Sequence, residues 1–121
     1  VRLLDKKKSK EDKDIYTVIQ PDLCVICDEN KIDARGAIGA PELMIEILSP
    51  GNSKKEMKYK FDLYEEAGVL EYWIINPADK TMLIFVLKDN IFVGQHPLIE
   101  EDQIQSVLFP QLDFKLEEIF N

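Results

Sequence analysis

Glu46 sits inside the apolar run Leu43-Met44-Ile45-Glu46-Ile47-Leu48, and that placement constrains the chain more than any other feature. On a strand the side chains alternate between faces, so Glu46 shares its face with Met44 and Leu48. A carboxylate taken out of water is costly unless it gains a partner, a raised pKa or a metal ion. The plainer reading is a strand with one wet face, where Glu46 is merely solvated. The rest of the chain decides between the two.

The neighbouring segments read as alternating strands with one helix. Val1 to Leu4 and Ile15 to Ile19 are expected as two arms of a hairpin around the charged stretch Asp5 to Asp14. After Pro21 a strand is predicted over Asp22 to Cys27, then a polar loop over Asp28 to Gly36, then the Glu46 strand behind Pro41. Ser49-Pro50-Gly51-Asn52-Ser53 breaks it, and Asn52 or Ser53 can cap the helix that follows. Gly68 is the residue type that ends such a helix. Further strands are expected over Glu71 to Ile75, Thr81 to Leu87, Ile91 to Val93 and Gln105 to Phe109. Asp89-Asn90 is the predicted hairpin turn, and Leu116 to Phe120 a short closing helix. With 121 residues and 45% apolar content, the expectation is one α/β domain.

Charge and cysteine content narrow the function classes. A net charge of -8 argues against a protein that coats DNA, but leaves room for one basic patch. Two lysine clusters exist. Lys6, Lys7, Lys8 and Lys10 read as a solvated hairpin tip, and Lys54, Lys55, Lys58 and Lys60 open the helix. Cys24 and Cys27 point to opposite faces of a strand, so neither a disulfide nor a zinc site is expected. No run approaches the roughly 20 apolar residues needed to span a bilayer, so no membrane is expected and the cytoplasm is the expected location. His96, in a loop before Pro97, is read as inert.

The helix adds a second constraint. With Met57 at zero and about 100° per residue, Phe61 lies near +40°, Tyr64 near -20°, Ala67 near -80° and Leu63 near -120°. Lys60, near -60°, and Glu56, near -100°, fall within this apolar arc. They stand four residues apart and can pair with each other, their stems reaching to water. Alternatively, Lys60 points into the interior that receives Glu46. Asp22 opens the preceding strand on the face of Cys24 and Ile26. Two carboxylates from adjacent strands can hold Mg²⁺ or Mn²⁺ through oxygen. A lysine beside them can orient or deprotonate a water and offset charge developing on a phosphodiester. Tyr64 and Trp73 are read as core residues. Glu42 lies on the face of Glu46 and is read as exposed at the strand's start.

Taken together, several blocks resemble one family: Gln20-Pro21-Asp22, Ala40-Pro41-Glu42-Leu43-Met44-Ile45-Glu46-Ile47-Leu48-Ser49-Pro50, Lys60-x-x-x-Tyr64, Ala67-Gly68 and Glu71-Tyr72-Trp73. Their order and spacing are similar to the Uma-two-type restriction endonucleases, a branch of the PD-(D/E)xK nuclease superfamily. The resemblance runs from about residue 15 to the end. It implies a restriction-endonuclease-like mixed β-sheet with a helix after the central strand pair. It also implies a metal-dependent endonuclease acting on DNA, with Asp22 and Glu46 as metal ligands, Lys60 as the catalytic lysine, and a homodimeric form. The superfamily's lysine usually lies two residues after the second acid. Leu48 holds that position here, and Lys60 on the helix takes its place. Glu56 stands where relatives often have aspartate. Family members also carry an N-terminal segment with a further acidic residue, so an N-terminal part is expected to be missing from these residues. The alternative is a degenerate nuclease fold that binds nucleic acid or a protein partner without cutting.

Overall fold

The structure, a computed structural model, describes residues 1–4, 16–18, 21–33 and 36–120. At the N-terminus β1 (Arg2–Leu4) pairs antiparallel with β2 (Tyr16–Val18), with Leu3 opposite Thr17, so the expected hairpin arms are present. The lysine cluster between them lies outside the described residues. β3 (Leu23–Val25) is shorter than the predicted strand. Pro21 brings no N–H to a ladder, and at the far end the Cys27 N–H is taken by the Glu42 side chain. The segment expected as a polar loop carries more structure. Asp28 accepts a bond from the Asn30 N–H and caps a 3-10 turn over Glu29–Lys31. β4 (Ile32–Asp33) and β5 (Gly36–Ala37) then form a small antiparallel ladder.

The principal sheet contains β3, β6 (Leu43–Ile47), β7 (Glu71–Asn76), β8 (Thr81–Lys88) and β9 (Ile91–Gly94), in the order β3-β6-β7-β8-β9. Only β6 and β7 run parallel, and α1 (Lys54–Ala67) is the crossover between them. Ser53 is the cap: its hydroxyl accepts the Glu56 N–H at 3.0 Å. The other candidate, Asn52, bonds back to the Ser49 N–H at 2.6 Å and shapes the turn instead. Gly68 closes the helix at φ 90°, its N–H donating to the Tyr64 and Glu65 carbonyls. Asp89 and Asn90 both have positive φ, as the tight turn between β8 and β9 requires.

Strand alternation divides the interior in two. Met44, Tyr72, Ile74 and Phe92 meet Tyr64 and Ala67 of α1 on one side, with Leu3 of β1 added. Aromatic edges lock this side: Phe61 meets Phe85 at 5.0 Å and Tyr64 meets Tyr72 at 5.0 Å, both T-shaped. On the other side Leu43, Trp73, Ile75, Met82, Ile84 and Val86 pack against Ile104 and Leu116. β7 is central, and residues 71–75 are all buried.

The C-terminal segment covers that second side without adding a strand. Residues 105–109 form no strand, against the expectation. Their amides turn instead toward Glu71, which accepts bonds from Val107 N at 2.9 Å and Leu108 N at 3.3 Å. Backbone bonds satisfied by a buried carboxylate are not available to a ladder. The closing element, Leu116–Phe120, is a 3-10 helix with Leu116 fully buried.

Candidate active site

The antiparallel register of β3 and β6 pairs Leu23 with Ile45. One step outward, Asp22 therefore stands opposite Glu46 on the same face. Asp22 is exposed, and its Oδ2 accepts the Ile47 N–H at 2.8 Å. That bond anchors the carboxylate to the strand carrying its partner.

Glu46 is 5% exposed. α1 supplies both of its side-chain donors. The Tyr64 hydroxyl donates to Oε1 at 2.6 Å, and the Lys60 ammonium lies 3.3 Å from Oε2. Lys60 also sits 3.6 Å from the Glu56 carboxylate, one turn earlier. Both sequence readings of Lys60 therefore hold at once: it pairs with Glu56 and reaches the interior carboxylate. Burial pushes the Glu46 carboxyl above its ordinary value. The Tyr64 bond and the charge and bond of Lys60 pull against that, and the facing Asp22 adds to the rise. The Tyr64 phenol is pushed far up by burial and by the Glu46 it bonds, and Tyr72 is raised by burial and the same charge.

A groove of about 540 Å³ lies at the carboxyl ends of β6 and β7, lined by Leu48, Ser49, Pro50, Asn52, Met57 and Asn76 among others; Asp22, Glu46 and Lys60 are not in its lining. In open α/β sheets such crevices are the common place for ligands. Leu48 lines it and spends its N–H on the Ile75 carbonyl.

A family model described as "Uma2: Putative restriction endonuclease" matches residues 12–117. The chain belongs to the Uma2 family. A crystal structure of a putative nuclease belonging to DUF820 from Anabaena variabilis ATCC 29413 is similar in fold, with a TM-score of 0.63 and 22% identity. The match covers 87% of this Uma2 chain and 60% of that one, so the chain spans less than two thirds of the relative's length. The five-stranded mixed sheet with α1, the single long helix among the described residues, is thus the restriction-endonuclease-like fold of that neighbour. No curated protein matches.

Asp22, Glu46 and Lys60 converge in this Uma2 chain. Two facing carboxylates, one exposed and one nearly buried, are a hard-oxygen donor pair of the kind Mg²⁺ or Mn²⁺ takes. Among the described residues no group of three or more His, Cys, Asp or Glu side chains comes together as a metal centre. Mg²⁺ keeps several waters readily, so it does not need a third protein carboxylate. The donor set therefore fits that class of ion.

Other expectations change. Glu42, read as exposed, has a side chain only 15% exposed. It accepts from Lys31 Nζ at 3.2 Å and from the Cys27 N–H at 3.0 Å. It ties the 3-10 turn to the start of β6 rather than extending the site. Trp73 is a core residue as read, and its indole N–H donates to Glu71 at 2.7 Å. Tyr64 is in the core as well, but its hydroxyl touches Glu46, which the core reading missed. The signal was its place one turn after Lys60 on the same side of the helix. Cys24 and Cys27 are free thiols, and His96 is exposed. No helix among the described residues is long and apolar enough to cross a membrane.

Proposed function

We propose that this Uma2 chain is the core of a metal-dependent endonuclease that hydrolyses phosphodiester bonds in DNA. The observation that carries the reading is the meeting of Asp22, Glu46 and Lys60 from two paired strands and the crossover helix. Asp22 and Glu46 would hold Mg²⁺ or Mn²⁺. Such an ion, when bound, lowers the pKa of water and polarises a phosphoryl oxygen. Lys60 does the rest of the electrostatic work. Its ammonium, steadied between Glu46 and Glu56, orients the attacking water and offsets the charge that builds on the phosphate oxygens. The groove beyond Leu48 receives the strand next to the scissile bond. A homodimer would bring a second site to the opposite DNA strand.

Cleavage of supercoiled plasmid by the full-length protein tests this. Relaxation should require Mg²⁺ or Mn²⁺ and fall by about 100-fold or more in Asp22→Ala, Glu46→Ala and Lys60→Ala. A second reading, a nuclease fold that binds without cutting, is favoured by one observation: both Glu46 oxygens already have partners within the chain. Metal-independent DNA binding with no cleavage by a folded protein would select it and sink the first.

A further inference from the structure

The fold treats the two oxygens of Glu46 differently. Oε1 receives a short bond from a hydroxyl with no access to water: Tyr64 is 0% exposed. Oε2 faces Lys60, whose side chain is 19% exposed. Tyr64 itself cannot shift easily. Its ring stands edge-on to Tyr72 at 5.0 Å and packs in the cluster of Met44, Val69 and Ile74, while its carbonyl is engaged by Gly68 and Val69.

We infer that Tyr64 is a positioning residue for the candidate site: its hydroxyl holds the Glu46 carboxylate in one orientation, with Oε2, which also accepts from Lys60 at 3.3 Å, as the oxygen turned toward the place where a divalent cation would be held. This rests on the reading of Asp22 and Glu46 as the cation-holding pair. A glutamate has three side-chain torsions, and at a strand end it can turn one oxygen, the other, or both toward a ligand. Mg²⁺ demands near-octahedral geometry at short distances and is poorly served by a carboxylate free to swing. A bond from the buried core to Oε1 removes that freedom. It plays the part of the outer hydrogen-bond partners that orient metal ligands elsewhere, whose loss typically costs 10–100-fold in metal affinity. α1 thus contributes twice to one carboxylate, through a charge on one oxygen and a hydrogen bond on the other.

The test is Mn²⁺ affinity of the full-length protein by titration calorimetry, wild type beside Tyr64→Phe, with the melting temperature of each. Tyr64→Phe keeps the ring and removes only the hydroxyl. Mn²⁺ affinity should fall by about 10–100-fold, the Mg²⁺ concentration for half-maximal plasmid cleavage should rise in parallel, and KM for plasmid should stay unchanged. A variant that melts lower but binds Mn²⁺ within about twofold of the wild type overturns the inference, because a purely structural tyrosine would behave that way. If Tyr64→Phe does not fold, the unmodified protein labelled with ¹³C at the tyrosine ζ carbons gives a second reading. The Tyr64 signal should move with Mg²⁺ saturation, and a stationary signal in a protein that binds the ion overturns the positioning role alone. A wild type that binds neither ion overturns the inference and the cation reading together.

Discussion

Glu46 and Glu71 are both buried carboxylates on adjacent parallel strands, and they are satisfied in opposite ways. Glu71 faces the C-terminal side of the sheet. It accepts from the Trp73 indole, the Ser106 hydroxyl and the Val107 and Leu108 amides, all neutral donors. Glu46 faces the helix side, with a lysine on one oxygen, a tyrosine on the other and a second carboxylate across the strand pair. Glu71 has its acceptor capacity spent on closing the fold. Glu46 stands with an exposed acid opposite and a charged donor on one oxygen. Burial alone does not make a carboxylate a candidate for function; the character of its partners does.

The comparison breaks most sharply at Glu71. Glu71→Ala strands an indole N–H, a hydroxyl and two backbone amides, and should lower unfolding stability by about 3–5 kcal/mol, since each buried orphan costs about 1–3 and they do not add in full. Urea unfolding measures the loss, and amide exchange should quicken first at Val107 and Leu108. A loss below about 1 kcal/mol would mean that Glu71 does not hold the C-terminal segment to the sheet.

Glu46→Gln should act the other way round. The amide oxygen can still accept from Tyr64, and the burial cost of a charge disappears, so neutral-pH stability should stay within about 1 kcal/mol of wild type while cleavage is lost. The pH dependence sharpens this. The folded-state pKa of Glu46 is raised, so its protonation favours the native state. That contribution is full below the unfolded value near 4.5 and is lost as pH rises through the higher folded value. Glu46→Gln should flatten this part of the stability profile.

Glu42 provides the opposite and smallest effect. Burial pushes its carboxyl up, but the Cys27 amide and Lys31 outweigh burial and leave it below 4.5. Its contribution is present above the unfolded value and fades as pH falls through the folded one. Glu42→Gln should therefore cost a few tenths of a kcal/mol to about 1 kcal/mol at neutral pH, and nothing below the folded value, as thermal unfolding between pH 3 and 7 would show.

Much of the candidate site was legible before the fold was known. An acid inside an apolar run, an acid after a proline and a lysine on the inward arc of a helix are each visible as local patterns. Glu71 was not legible as a buried acid, because it stands at the start of its strand, where a carboxylate ordinarily meets water. Three of its four donors lie 35 to 37 residues further on, in a segment whose apolar residues read as another strand. Glu42 misled for the same reason, since Lys31 reaches it only through the 3-10 turn and the small ladder after it.

What the sequence determined by itself was local: the strand around Glu46, a helix cap at Asn52 or Ser53, the Gly68 stop and the Asp89-Asn90 turn. Alternation, capping and positive φ involve residues a few positions apart, and the chain carries that information wherever it folds. Only the tertiary structure decided that Lys60 reaches Glu46 as well as Glu56, that Tyr64 donates to Glu46, and that Glu71 binds the C-terminal segment. Those contacts join residues 14, 18 and 35 to 37 positions apart. They exist because the parallel pairing of β6 and β7 lays α1 across one face of the sheet and leaves the other for the chain's end.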